Sequence, residues 1–257
     1  MPKYFIAPED IDKENSRLVI RGENADHMIN ALRARRGDHV TACDGLCTDY
    51  TCEISEIFTG GNKKLILKIL AESGVSEPKL RVTLYQSIPK SDKMEYVIQK
   101  CVEMGIYEIT PIYTEFSAVR SLSDAKLSRY RKISEAAAKQ SMRGFIPCIN
   151  PPITLSEALT ESSGRGLVFV PYENERQTGL KDLLSQYDMA QVISAAFFIG
   201  SEGGFSGREA EMFINAKIPR VTLGGRILRT ETAGVAVLTI LMYASNELGV
   251  AGGGYDG

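Results

Sequence analysis

Between residue 1 and about residue 72 the apolar positions alternate or fall in short runs, at 17–20, 39–43, 50–57 and 64–70. Asp44-Gly45 and Gly60-Gly61-Asn62 punctuate them, which predicts short strands joined by turns. One helix interrupts the strands over 25–35. Met28, Ile29 and Leu32 give it an apolar side, and Gly37 is its expected stop. The pattern describes a small β-barrel with one helix. Gly74 and Pro78 then mark a linker over 73–79, after which the period changes. Residues 80–85 read as a strand. A helix follows with Asp92 and Glu95 as an expected capping box, and with Met94, Val97, Ile98, Cys101 and Met104 on one face up to Gly105. Residues 106–113 are the next strand. Strand, helix, strand is the rhythm of an α/β fold with a parallel sheet.

The stretch from Ala195 to Ala233 holds two strand-to-loop-to-helix transitions rich in glycine. In the first, an apolar run ending at Ile199 breaks into Gly200, Ser201, Glu202, Gly203 and Gly204, and Ser206 with Glu209 predicts a capped helix. In the second, Val221, Thr222 and Leu223 lead into Gly224, Gly225, Arg226, Ile227, Leu228 and Arg229, with a helix expected to follow. A third candidate is the strand from Gly166 through Val170 and Pro171 to Tyr172, Glu173 and Asn174, which would join the other two if the three strands are neighbours. Neither glycine loop is a dinucleotide or Walker-type motif, and the first carries no basic residue for a phosphate. Backbone groups flanked by Leu223, Ile227 and Leu228 suit an adenine and a ribose better than a triphosphate.

Composition narrows the class. The 257 residues are 44% hydrophobic and 24% charged, with no apolar run near the ~20 residues that span a bilayer and no signal-peptide pattern at the start, so the expected compartment is the cytoplasm. The spacing of Cys43, Cys47 and Cys52 is unlike that of zinc ligands, and the five cysteines read as reduced, mostly buried thiols with no metal. A net charge of −2 excludes indiscriminate coating of nucleic acid. Charge is local instead. Residues 117–147 hold seven basic side chains against two acidic ones, a balance of +5 centred on a helix over 123–141. Arg120, Lys126, Arg129, Lys139 and Arg143 are the candidate phosphate contacts there; a solvated helix face is the other reading.

The two glycine loops, Ile199 to Ser206 and Leu223 to Ala233, resemble the two signatures of the RsmE family of 16S ribosomal RNA uridine N3 methyltransferases, in the SPOUT superfamily. Lys100, Glu103, Gly105, Pro111, Thr114, Glu115 and Ser117 are similar to a further family pattern, and 26–33 with Gly37-Asp38 to its N-terminal element. The family usually has proline where this chain has Ser201 and Gly225. The resemblance implies a PUA-like RNA-binding barrel over 1–72 with Arg33, Arg35 and Arg36 on its cationic edge. It implies a trefoil-knotted SPOUT domain over 80–248, a homodimer, and 16S ribosomal RNA in the small ribosomal subunit as partner. The tail over 249–257 is expected to be disordered.

The implied cofactor is S-adenosylmethionine, held by Val170, Pro171, Tyr172, Glu173, Ile199, Gly200, Ser201, Glu202, Gly203, Gly204, Leu223, Gly224, Ile227, Leu228, Thr230, Thr232 and Ala233. Neutral uracil N3 carries a proton and is a poor nucleophile, so a base or a charge-stabilising group is required. Arg226, Arg229 and Glu231 are the candidates, being the charged residues beside the second loop. A carboxylate that merely favours the helix N-terminus is the alternative for Glu231. Two other functions fit the same pattern: a SPOUT enzyme acting on another RNA such as tRNA, or a non-catalytic RNA-binding assembly factor.

Overall fold

The computed structural model describes residues 3–249, and the chain divides into two compact units, 1–77 with 138–146, and 78–137 with 147–257. The glycine-rich tail beyond Gly249 lies outside the described residues.

In the first unit β1 (Lys3–Phe5), β2 (Ile11–Asp12), β3 (Arg17–Arg21), β4 (His39–Cys43), β5 (Thr48–Phe58) and β6 (Lys64–Gly74) form one sheet in the order β1-β4-β5-β6-β3-β2. All its pairs are antiparallel except β1 with β4. Alternation sets its core, since Leu18, Ile20, Val40, Ala42, Tyr50, Cys52, Ile54, Leu65 and Leu67 point to one buried side. The end strands β1 and β2 do not pair with each other, so the hydrogen-bond ladder itself is not a closed ring. Gly74, placed in the linker by sequence, ends β6 opposite Thr48.

The expected helix over 25–35 is shorter and begins earlier. It is α1 (Gly22–Asp26) followed by one π turn (His27–Ala31), and Arg33 at φ 53° ends it well before Gly37. Met28 is buried, whereas Leu32 is 48% exposed and not part of an apolar stripe. Near the unit's other segment, Arg143 is only 6% exposed and its guanidinium meets the Glu77 carboxylate at 2.7 and 3.1 Å. Gly144 N–H donates to the same carboxylate at 2.6 Å. Arg143 is therefore committed to structure and is not a surface phosphate contact, contrary to expectation.

The second unit carries the parallel sheet. Its strands are β7 (Arg81–Ser87), β8 (Glu108–Tyr113), β9 (Cys148–Ile149), β10 (Ile153–Thr154), β11 (Leu167–Pro171), β12 (Ser194–Ile199) and β13 (Arg220–Val221). The order is β10-β8-β7-β12-β11-β13, with β9 also on β8, and every pairing is parallel. β12 is central and covered on both faces, which is why it reads as a continuous apolar run rather than an alternation. The helices are α2 (Lys93–Glu103), α3 (Asp124–Gln140), α4 (Leu155–Ser162), α5 (Leu180–Leu184), α6 (Gly207–Asn215) and α7 (Thr230–Ala244). The Asp92 side chain makes no cap hydrogen bond, its φ −91° and ψ 11° lying outside the extended backbone of an N-cap, and the Glu95 carboxylate goes instead to Lys126 and Arg129, each at 2.7 Å. α7 is apolar on most sides and packs closely: a Cβ on Gly234 would sit 3.6 Å from both Leu84 and Gln86 and 3.9 Å from Val97. Among the described residues no helix is long and apolar enough to cross a membrane.

Removing one partner of a buried ion pair strands the other charge. Glu77→Ala is expected to lower unfolding free energy by ~3 kcal/mol in denaturant titration; a loss below ~1 kcal/mol would mean that the pair behaves like an exposed one.

Candidate active site

Parallel sheets bind ligands at the carboxyl ends of their strands, because there the connecting loops diverge and leave a crevice. Here β12, β11 and β13 are successive neighbours, so the loops leaving Ile199, Pro171 and Val221 meet at one edge. They enclose a cavity of about 870 Å³. Pro171, Tyr172, Glu173, Ile199, Gly200, Ser201, Glu202, Gly203, Gly204, Leu223, Gly224, Arg226, Ile227, Leu228, Arg229, Thr230 and Ala233 all line it.

Local chemistry fixes each loop. After β12, Gly204 N–H donates to Ser201 carbonyl at 3.0 Å in a tight turn, with Gly204 at φ 69°. A Cβ on Gly200 would fall 2.7–2.8 Å from Gly204 backbone atoms, so the turn closes only over glycine. The predicted capping box of α6 is present: Glu209 N–H reaches Ser206 Oγ at 3.3 Å, and Ser206 N–H reaches Glu209 Oε2 at 2.9 Å. Phe205, also on the cavity wall, packs edge-on against Phe213, which anchors the loop in the core. After β11, the Glu175 carboxylate accepts N–H bonds from Arg176, Gln177 and Thr178, and these bonds hold its own proton affinity below the usual range. Thr230 ties the set together. Its hydroxyl donates to Gly200 carbonyl at 2.6 Å and accepts from Gln86 Nε2 at 3.0 Å.

The charges on the wall differ in how they are held. Lys93 Nζ donates to Glu202 Oε1 at 2.8 Å and lies 3.6 Å from Glu231 Oε2. The hydrogen bond that Lys93 donates to Glu202 raises the lysine's affinity for its proton. Burial pushes the Glu202 carboxyl up, but the bonds from Lys93 and Lys90 N–H outweigh it, and the net shift is downward. Arg226 and Arg229 are exposed at the rim, and among the described residues their guanidinium groups have no hydrogen-bond acceptor or ion-pair partner.

Three expected site residues stand elsewhere. Val170 is fully buried in the core of the sheet beside Phe198 and Phe213, because its place on β11 turns it inward. Thr232 is exposed on the first turn of α7, off the cavity wall. Glu231 is also off the wall, and its Oε2 is closed to solvent without a hydrogen-bond donor. Gly203 lines the cavity, but a Cβ there would strike Phe116 at 3.0–3.2 Å rather than open space. The sequence reading missed Lys93, Glu175, Arg176, Phe205, Thr222 and Gly225. The available signal for Lys93 was its position at the start of α2, the helix that follows the carboxyl end of β7, a strand beside β12. Cys43, Cys52 and Cys101 are buried, with thiols pushed up to about 12, whereas Cys148 is exposed. Among the described residues no cluster of three His, Cys, Asp or Glu side chains is placed to hold a metal ion.

Residues 76–242 match the model of the RNA methyltransferase domain family. The ribosomal RNA small subunit methyltransferase E of Mesomycoplasma hyopneumoniae is 34% identical over 65% of this chain and 71% of its own length. That of Bacillus subtilis is 28% identical over 96% and 98%. The chain belongs to the ribosomal RNA small subunit methyltransferase E family. A crystal structure of the Neisseria gonorrhoeae member bound to S-adenosyl methionine superposes with a TM-score of 0.80, at 30% identity, over 95% of this chain and 97% of that one.

Against the methyltransferase E pattern the two departures have different consequences. Ser201 uses its hydroxyl to bond Phe116 carbonyl at 2.7 Å, a link that proline cannot make. Gly225 leaves bare backbone at the cavity, since a Cβ there would meet nothing within 4 Å. Gly200→Ala is accordingly expected to cost ~1–3 kcal/mol by chemical denaturation, while Gly225→Ala stays within ~0.5 kcal/mol. Equal effects would show that the first turn does not depend on its backbone contact.

Proposed function

We propose that this chain transfers a methyl group from S-adenosylmethionine to N3 of a uridine in the 16S ribosomal RNA of the small subunit. The observation that carries the reading is the convergence of three loops, from three adjacent parallel strands, on one cavity in a member of the ribosomal RNA small subunit methyltransferase E family.

The residues present fit that cofactor. The cavity has the size of small-molecule sites, ~300–1,000 Å³. Gly224 and Gly225 offer uncovered backbone at its wall. Pro171, Leu223 and Leu228 supply apolar walls for an adenine, while Glu173 and Glu202 bring carboxylates to a ligand with two cationic centres. Bound there, S-adenosylmethionine supplies an electrophilic methyl on its sulfonium, so no metal is needed for activation. The protein's share is to orient the uracil and to steady the charge that spreads over its carbonyl oxygens as the N3 proton leaves to water. Arg226 and Arg229 stand at the rim with donors uncommitted, suited to a carbonyl or a neighbouring phosphate. Glu231 acts from behind the wall through Lys93.

For RNA, Arg33, Arg35, Arg36 and Arg120 are exposed cations. Lys126 and Arg129 share the Glu95 carboxylate, so these two lend the RNA less charge than their number suggests, whereas Lys139 donates to the neutral Asn24 amide oxygen at 3.1 Å and keeps its charge. A PUA-like role for the first unit is supported by its small, mostly antiparallel sheet with one helix. A knotted path in the second is supported by α7, which follows the edge strand β13 yet packs back on β7 and α2. A homodimer is supported by Ile240 and Tyr243, exposed apolar side chains on α7.

Small subunits from cells lacking the protein, incubated with it and labelled cofactor, are expected to yield N3-methyluridine on nucleoside analysis. Label in another nucleoside, or only in tRNA, would overturn the reading. Because Glu231 stands off the cavity wall with its Oε2 closed to solvent, Glu231→Gln is expected to slow single-turnover methylation by the same factor from neutral to alkaline pH. A defect that shrinks as pH rises would return Glu231 to the role of base.

A further inference from the structure

Lysine in the first turn of a helix opposes the helix dipole, which favours anions there. Lys93 is the first residue of α2, so something else must account for its charge at that place. Its ammonium is fastened at one corner only. Glu202 takes one N–H at 2.8 Å, Glu231 lies at 3.6 Å, beyond hydrogen-bond reach, and no other side chain among the described residues accepts from it. Two N–H bonds of a half-buried ammonium on the cavity wall therefore remain open. The charged groups around it are Glu202 from the loop after β12, and Glu231 and Arg229 from the start of α7. The two carboxylates keep the amine protonated, so it cannot serve as a base. It can serve as a donor.

Arg226 and Arg229 differ from Lys93 in the property that matters most for stabilising a transition state. Both sit exposed at the rim with unanchored guanidinium groups, and each would have to be ordered when the reaction occurs. A donor already fixed in place gains its full electrostatic effect without that reorganisation. We propose that Lys93 is a further catalytic residue, whose ammonium, aimed by Glu202 and Glu231, donates to the uracil carbonyl oxygen on which negative charge develops. This rests on the reading of N3 methylation given above. In that reaction the N3–H bond is replaced by an N3–C bond, the proton passes to water, and the electron pair of the broken sulfur–methyl bond stays on sulfur. Lys93 gains and loses no proton.

The test compares wild type, Lys93→Met and Lys93→Arg in single-turnover methylation of small subunits containing either uridine or 5-fluorouridine, whose N3 is more acidic. Calorimetry with S-adenosylmethionine and thermal melting run alongside. Lys93→Met is expected to lose ~10²-fold in rate on uridine, the scale of one oxyanion-type donor. Its cofactor affinity should stay within about threefold and its melting temperature should hold within the few degrees that ~1 kcal/mol represents. The loss should shrink about tenfold on 5-fluorouridine, where less charge needs steadying, and Lys93→Arg should recover at least tenfold of the rate on uridine. A Lys93→Met rate within threefold of wild type overturns the inference alone. So does an equal loss on both substrates accompanied by weakened cofactor binding or melting, which marks a strut between α2 and the two loops. A wild-type protein that makes no N3-methyluridine overturns the underlying reading and the inference with it.

Discussion

One hydroxyl holds the site in register. Thr230 Oγ1 gives its proton to Gly200 carbonyl and takes one from Gln86 Nε2, joining the loop after β12, the start of α7 and the end of β7. Gln86 is fully buried, and its Nε2 also reaches Ser87 carbonyl at 2.9 Å, so this junction is closed to water. Dry hydrogen bonds of this kind are stiff because breaking one leaves a polar atom with nothing to replace its partner. The same closure leaves Gln86 Oε1 without a donor, a cost accepted in a position where the amide is needed to fix three segments at once. Three parts of the cavity wall adjoin this point: the Gly200 turn, the carboxylate two residues later, and the rim arginines preceding Thr230.

Electrostatics in this molecule are decided by pairing rather than by count. The basic segment around α3 carries +5 along the chain, yet Lys126 and Arg129 converge on Glu95, and Arg143 is buried on Glu77. Burial of the Glu95 carboxyl works against its ionisation, but the two cations prevail and its proton affinity falls below the ordinary carboxylate range. At the cavity the arrangement is reversed. One ammonium is hydrogen-bonded to Glu202 with the Glu231 carboxylate 3.6 Å away, and among the described residues two guanidinium groups are left uncommitted at the rim. Field at the surface comes from the unpaired cations, whereas orientation at the wall comes from the paired one.

Most of the architecture and much of the cavity were legible in the residues. Period-two alternation defined the first sheet, a continuous apolar run defined the buried strand β12, and glycine clusters marked the turns where backbone meets open space. The capping box at Ser206 was readable because both of its bonds are local, closing within three residues. The same motif failed at Asp92 and Glu95, where the cap residue's backbone is not extended and the carboxylate goes to two cations 31 and 34 residues away. Arg33 ended a helix by adopting a left-handed conformation that composition does not announce.

What the sequence by itself determined were the features whose energetics are settled within a few residues: strand period, turn chemistry and the glycine loops. Tertiary structure decided the rest. It set which of three strands stand side by side, that Val170 faces the core, that Glu231 lies behind the wall and Arg143 inside its unit, and that Lys93 arrives at the cavity from 109 residues away. The physical reason is range. A charged side chain takes whichever partner the fold brings within about 3 Å of it, and that partner's distance along the chain has no influence on the energy of the pair.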